Sequence, residues 1–170
     1  DLGPQPCAVF RPDSIGQLSQ GLKAAHARGL AIVPRGGGMS YTKGYVAPDA
    51  GALIVDLGRM DRILSIDPVD MLVTVEAGCT WAQLYEALKP TGMRTPLWGT
   101  LSGIKATVGG GMSQNGLFWG AANGTIAHSA ISFEVVLADG RIVKTGSDFL
   151  RPFGPDLTGL FAADAGAFGI

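Results

Sequence analysis

Pro34-Arg35-Gly36-Gly37-Gly38-Met39-Ser40 follows a short apolar run, Leu30-Ala31-Ile32-Val33, that reads as a buried strand. Three successive glycines just past a strand remove every β-carbon from a tight turn. The backbone can then bend through φ > 0 and aim several N–H groups at one object, most naturally an anion such as a phosphate. Glycine runs also occur in plain turns. The loop gains weight from a second cluster far along the chain, Thr107-Val108-Gly109-Gly110-Gly111.

Upstream of the loop, Ala8-Val9-Phe10-Arg11-Pro12 reads as a short strand ending at a proline. Ser14 opens a helix with Gln17 at the capping-box position. Ile15, Leu18, Leu22 and Ala25 lay one apolar stripe along that helix, and Gly29 stops it. The unit is β-α-β, with the anion loop at the carboxyl end of its second strand. Downstream, residues 52–57 form another apolar strand, and residues 62–67 and 71–76 form a hairpin around Asp67-Pro68-Val69-Asp70. Thr80 caps a second helix, with Gln83 three residues on. Trp81, Leu84, Tyr85 and Leu88 make its buried stripe, and Pro90 and Gly92 end it.

Residues 93–128 differ in kind: they read as a long irregular segment rich in Gly, Thr, Ser and Asn that also holds Trp98, Phe118 and Trp119. Such a segment inside a compact domain is usually functional. Order returns in a hairpin where Ile131, Phe133, Val135 and Leu137 alternate along one face, Asp139-Gly140 turns, and residues 141–145 return. A short helix over residues 156–161 precedes a last glycine turn, Gly166-Ala167-Phe168-Gly169. This order of elements predicts an α+β fold rather than a doubly wound sheet.

The bulk numbers exclude several classes. A chain of 170 residues is long enough for one domain with a real core. With 46% hydrophobic and 16% charged residues it does not have a disordered composition. Its 26 glycines cluster rather than repeat, which rules out a collagen-like chain. A net charge of −1 without any Lys/Arg run lacks the electrostatic footprint of nucleic-acid binding. No apolar run of about 18 residues predicts a membrane span. No signal-peptide pattern is seen, and the first residue is not Met, which leaves room for a natural N-terminus upstream. Cys7 and Cys79 have no metal or redox spacing, so reduced thiols and a cytoplasmic location are expected. His26 and His128 do not make a zinc site without further ligands, and no metal is expected.

Two common phosphate motifs are absent. The dinucleotide fingerprint G-x-G-x-x-G opens a helix, whereas Ser40, Tyr41, Gly44, Tyr45 and Pro48 do not. The Walker pattern needs Gly-Lys-Ser/Thr, which does not occur at this loop. Two distant glycine clusters, an irregular central segment and little charge suit a large ligand with a pyrophosphate and an extended planar ring. FAD is such a ligand: one loop would neutralise the pyrophosphate, and the other would let main chain lie against the isoalloxazine.

The resemblance becomes specific here. Phe10-Arg11-Pro12 with the helix from Ser14, the loop from Pro34 to Ser40, Asp56-Leu57 with Val75-Glu76-Ala77-Gly78, and Ala106-Thr107-Val108-Gly109-Gly110 run in one order. Glu134-Val135-Val136-Leu137-Ala138-Asp139-Gly140 and the closing pair, Gly154-Pro155-Asp156-Leu157-Thr158-Gly159-Leu160-Phe161 with Gly166-Ala167-Phe168-Gly169-Ile170, complete it. These blocks resemble the FAD-binding domain of the vanillyl-alcohol oxidase, or PCMH-type, flavoprotein family, in particular its D-lactate dehydrogenase/glycolate oxidase type. The resemblance implies two α+β subdomains with FAD between them, about residues 1–60 and 61–170, within a single FAD-binding domain over 1–170. It implies that Arg35, Gly36, Gly37, Gly38, Met39 and Ser40 hold the pyrophosphate. Thr107, Val108, Gly109, Gly110, Gly111, Gln114 and Asn115 would line the flavin ring and ribityl chain, and Gly169 and Ile170 would touch the cofactor through backbone atoms.

Departures from the family pattern matter as well. Members with a covalent flavin often carry His where Met39 stands, and a thioether cannot form that histidyl bond, so FAD is expected to be non-covalent at this loop. The family's cap and substrate domain normally follows the closing motif, so this chain is expected to be a fragment that lacks it and is inactive alone. No catalytic acid or base is assigned. Plainer roles stand beside these: Met39 as packing, His128 as a structural histidine, His26 as a solvated residue near the helix end, Asp164 as a turn residue, and Glu76 and Glu134 as strand residues. The expected function is oxidation of a small alcohol or 2-hydroxy acid by hydride transfer to FAD. The substrate would enter through the missing domain, the electron acceptor is open, and an apolar face left by that domain offers a route to oligomers. The alternatives are an FAD-holding electron-transfer subunit without its own substrate site, and a glycine-rich α+β domain with no cofactor.

Overall fold

The computed structural model describes residues 4–96, 102–116, 120–147, 149–151 and 153–170. The first helix forms where its stripe predicts. Strand β1 (Ala8–Phe10) leads to α1 (Ile15–His26), whose N-cap Ser14 accepts a hydrogen bond from the Gln17 amide at 3.3 Å. The Gln17 side chain reaches back to the Asp13 amide, one residue before the cap, at 3.3 Å. Leu18, Leu22 and Ala25 are buried, and Gly29 ends the helix region with a positive φ of 64°.

Strands β2 (Ile32–Arg35) and β3 (Leu53–Asp56) complete a three-stranded parallel sheet in the order β1-β3-β2. The register runs from Ile32 opposite Leu53 to Arg35 opposite Asp56. The apolar run therefore starts the strand two residues late and carries Pro34 and Arg35 into it. Pro34 is tolerated because β2 is an edge strand. Leu53 and Val55 of the central strand join Leu18, Leu22, Ala25, Leu57, Met60 and Val136 in one core.

A second core lies around α2 (Trp81–Leu88), with Cys79, Trp81, Leu84, Leu88, Val108 and Ile126 buried together. Strands β4 (Ile63–Asp67) and β5 (Leu72–Val75) pair as the expected antiparallel hairpin, and Ile63, Ile66, Val73 and Val75 pack onto this core. The Thr80–Gln83 capping box is complete. Tyr85 departs from the expected stripe: it lies at the stripe's edge, 38% exposed, with the Lys89 ammonium 4.9 Å from its ring centre.

The stretch read as irregular is partly ordered. It holds α3 (Val108–Ser113), a short 3-10 turn (Ala121–Asn123) and α4 (Ile126–Ser129). Three glycines in α3 disguise it, because glycine is among the poorest helix formers. Trp98, Phe118 and Trp119 lie outside the described residues. Strands β6 (Glu134–Val136) and β7 (Ile142–Lys144) form the last hairpin. Val135 and Val136 are both buried, so β6 is covered on two faces rather than one. The hairpin turn docks on α1, where the Ser19 hydroxyl donates to the Gly140 carbonyl at 2.6 Å. Helix α5 (Leu157–Phe161) is capped by Asp156, and Ile170 returns to pair with Val136 through two backbone hydrogen bonds of 2.7 and 3.0 Å. Among the described residues no helix is long and apolar enough to cross a membrane.

Candidate flavin-binding site

The last rung between β2 and β3 is the Leu57 amide donating to the Arg35 carbonyl at 2.9 Å. Beyond it the chain leaves the sheet. The N–H groups of Gly36, Gly37, Gly38, Met39 and Ser40 have no hydrogen-bond partner among the described residues. Buried or half-buried amides are nearly always paired, and Gly36, Gly37 and Gly38 are only half-exposed. Successive open amides at the carboxyl end of a parallel strand are able to accept an anion. Gly38 sits at φ 67°, the left-handed turn that the glycine triplet predicts.

The two glycine clusters meet. A β-carbon on Gly36 would strike the Thr107 hydroxyl, and one on Gly37 would overlap the Lys105 carbonyl oxygen. The third glycine segment also arrives here: a β-carbon on Gly166 would run into the Pro34 ring. Ala163 and Ala165 donate their amides to Met112 and Ser113 at 3.2 and 3.0 Å, tying the closing turn to the end of α3. Asp164 is a turn residue, accepting from the Gly166 and Phe168 amides at 2.8 and 3.1 Å.

The second cluster treats its amides differently. Val108 donates to the Cys79 carbonyl at 2.8 Å and Gly109 to the Ala77 carbonyl at 3.0 Å. Gly110 donates to the Thr107 hydroxyl at 3.1 Å and Gly111 to the Thr107 carbonyl at 3.0 Å. The first turn of α3 is thus satisfied within the protein. Its glycines serve close approach: a β-carbon on Gly109 would stand 2.6 Å from that of Ala77, and one on Gly111 would stand 3.0 Å from the Trp81 ring. Gly110 is exposed and meets only the Thr107 hydroxyl, at 3.1 Å.

The remaining expected contacts are placed as follows. Gln114 is exposed at the end of α3. Asn115, at φ 45°, spends its side-chain oxygen on the Ala127 amide at 3.1 Å, steadying α4. Met39 is 41% exposed, and the Ser40 hydroxyl bonds that of Thr42 at 2.8 Å. Gly169 packs on Val135, and Ile170 commits its N–H and carbonyl to Val136. His128 caps α4, its Nδ1 accepting from the Thr125 amide at 2.9 Å, and His26 is exposed at the end of α1.

One structural device escaped the sequence reading. Glu76, just past β5, takes the Arg62 guanidinium at 2.6 and 3.1 Å and the Arg62 amide at 2.9 Å. The Arg62 hydrogen bonds hold this carboxyl below the usual carboxylate range, against the opposing effect of burial. The pair is separated by 14 residues, so no local spacing announces it. Glu76 fixes the turn whose Ala77 and Cys79 carbonyls seat α3. Cys79 itself is fully buried, and burial pushes its thiol up to about 11, which makes it a packing residue rather than a nucleophile.

The chain is 32% identical over 167 residues to the glycolate oxidase subunit GlcD of Bacillus subtilis (strain 168), covering 97% of this chain and 35% of that protein. It is 34% identical over 165 residues to a probable mitochondrial D-2-hydroxyglutarate dehydrogenase of Oryza sativa subsp. indica, covering 95% of this chain and 29% of that protein. It is 31% identical over 173 residues to the mitochondrial D-lactate dehydrogenase [cytochrome] 1 of Saccharomyces cerevisiae, covering 98% and 28%. The chain therefore spans about a third of the length of these relatives. In fold it is similar to alkyldihydroxyacetonephosphate synthase, with a TM-score of 0.81 at 21% identity over 95% of this chain and 32% of that one. The model of the FAD binding domain family matches residues 6–146, and the chain belongs to that family.

Proposed function

We propose that this chain is the FAD-holding part of a flavin-dependent oxidoreductase acting on a small 2-hydroxy acid or a related alcohol. The observation that carries the reading is the run of open amides from Gly36 to Ser40, beside Arg35, in a chain of the FAD binding domain family. These groups suit a diphosphate: they offer N–H donors and one cation in a turn too tight for side chains. The Thr107 hydroxyl, already accepting from Gly110, backs the loop from below. Gly110, exposed on α3, is the position of the second cluster left facing outward.

When bound, the flavin would supply the two-electron acceptor for oxidation of the hydroxyl carbon. The described residues bind and orient; the acid and base that handle substrate protons are assigned to the portion of the relatives that this chain does not cover. Two packing units support a two-subdomain arrangement. One holds β1, α1, β2 and β3 with Val136 and Ile170, and the other holds α2, α3, α4 and the β4–β5 hairpin. In this proposal the division follows packing rather than a single cut near residue 60, because β6 returns to α1. Attachment at Met39 is proposed to be non-covalent, since its thioether offers no N–H to substitute. Two free cysteines, Cys7 and Cys79, support a reducing compartment.

The test is the visible spectrum of the purified full-length protein, followed by acid precipitation. Flavin bands that leave with the supernatant support both the cofactor and its non-covalent attachment. A folded protein with no flavin bands and no FAD uptake sinks the reading, and flavin left in the pellet sinks the non-covalent part. Turnover is then assayed with lactate, glycolate and 2-hydroxyglutarate, using an artificial acceptor.

A further inference from the structure

Arg35 is the cation of the glycine loop, and among the described residues no carboxylate pairs with it. Its register partner on β3 is Asp56, the natural neutraliser. That carboxylate is already engaged: Arg11 donates to it at 3.0 Å and the Gly58 amide at 3.0 Å. None of the ion pairs among the described residues uses Arg35. Instead its guanidinium lies 5.0 Å from the centre of the Tyr45 ring. The same guanidinium sits 2.6 Å (Nη2) and 2.9 Å (Cζ) from the point where a β-carbon on Gly38 would stand. It is thus parked at the middle of the open amides, in space that glycine vacates.

Tyr45 is itself well placed to hold it. Successive turns tie the loop to the ring's segment, the Lys43 amide donating to Ser40 at 3.2 Å and the Val46 amide to Lys43 at 2.9 Å. Ala47, two residues on, is buried against the core of Val33 and Ala52. A ring anchored in this way can fix a long, otherwise mobile side chain through cation–π attraction. Fixing it before binding lowers the ordering cost that an anion would otherwise face.

We propose that Tyr45 is a positioning residue: it holds the Arg35 guanidinium over the glycine loop, preset for the diphosphate of FAD. The proposal rests on the functional reading above and adds a residue to it. Tyr45 need not touch the cofactor; it acts through Arg35.

The experiment titrates the full-length apoprotein with FAD and, separately, with riboflavin, which lacks the diphosphate. Tyr45→Leu is expected to weaken FAD about 3- to 10-fold, and Tyr45→Phe to stay within about twofold of wild type. Riboflavin binding should not move in either variant. On an Arg35→Gln background Tyr45→Leu should add nothing, since the charge it positions is gone. Unchanged FAD affinity in Tyr45→Leu overturns the proposal. So does an equal loss of riboflavin, which is what a general structural defect would produce, or a full Tyr45→Leu effect persisting without Arg35. If the wild type binds riboflavin and FAD equally, the diphosphate role of the loop falls and the proposal with it. If the wild type binds no FAD, the functional reading and the proposal both fail.

Discussion

The two glycine clusters lie against one another, yet they use their backbones in opposite ways. Among the described residues Gly36, Gly37 and Gly38 leave a run of amides without partners, while Val108, Gly109, Gly110 and Gly111 all bond within the protein. Under the proposed function, the first cluster keeps these amides for the diphosphate of FAD. The second is a packing device: a short helix whose glycines let it sit on the Ala77 main chain and the Trp81 ring. Similar composition therefore stands for open amides in one place and close helix approach in the other. What separates them is where the hydrogen bonds go.

The comparison can be broken most decisively at the contacts with main chain. Gly37→Ala drives a methyl into the Lys105 carbonyl, and Gly109→Ala drives one into Ala77. Each is expected to cost about 3 kcal/mol of apoprotein stability, because neither neighbour is a flexible side chain. Urea denaturation of the apoprotein measures both. A loss confined to FAD affinity, with stability intact, would mean that the two clusters do not pack as described.

Thr107→Ala attacks the joint between the clusters. It removes the hydroxyl that caps α3 and touches Gly36, and about 1 kcal/mol of stability should go with it. Thr107→Ser should keep most of it, and melting temperatures of the two variants decide the matter.

The seat of α3 should also be sensitive to acid. The folded Glu76 carboxyl titrates below its unfolded value, so its contribution is fully present above the unfolded pKa and is lost as pH falls through the folded one. Stability should therefore decline below about pH 4. Glu76→Gln should flatten that decline and lower stability at neutral pH. A wild-type and variant denaturation series from pH 6 to pH 3 that runs in parallel would remove Glu76 from the account.

Gly110→Ala is the mildest change. Its β-carbon meets only a side-chain oxygen at 3.1 Å, and alanine is the better helix former. Apoprotein stability should stay within about 0.5 kcal/mol. If this glycine faces the flavin, FAD affinity should fall nonetheless, which would give the second cluster a ligand role through one residue. Unchanged affinity would leave it a packing device throughout.

Much of the local structure was legible. Ser14 and Thr80 cap helices as their spacing predicts, and the stripe at Leu18, Leu22 and Ala25 is the stripe that packs. These features depend on neighbours within about one turn, so spacing reveals them. Where reading along the chain failed, the cause was long-range. Helix α3 runs against its own propensities because Ala77 and Trp81 demand small residues. Strand β6 is buried on both faces because it returns to α1, and period-2 alternation does not foresee a second cover.

By itself the sequence determined the first two helices with their caps, the hairpins, the glycine turn after β2 and membership of a flavoprotein family, because each is written in short-range chemistry or in ordered motifs. Only the tertiary structure decided which glycines leave their amides open among the described residues and which are for packing. It also decided that Asp56 is spent on Arg11, and that Arg35 lies against the Tyr45 ring instead. Those outcomes depend on which groups pair across tens of residues, and a hydrogen bond or ion pair of that kind has no signature in the spacing of the chain.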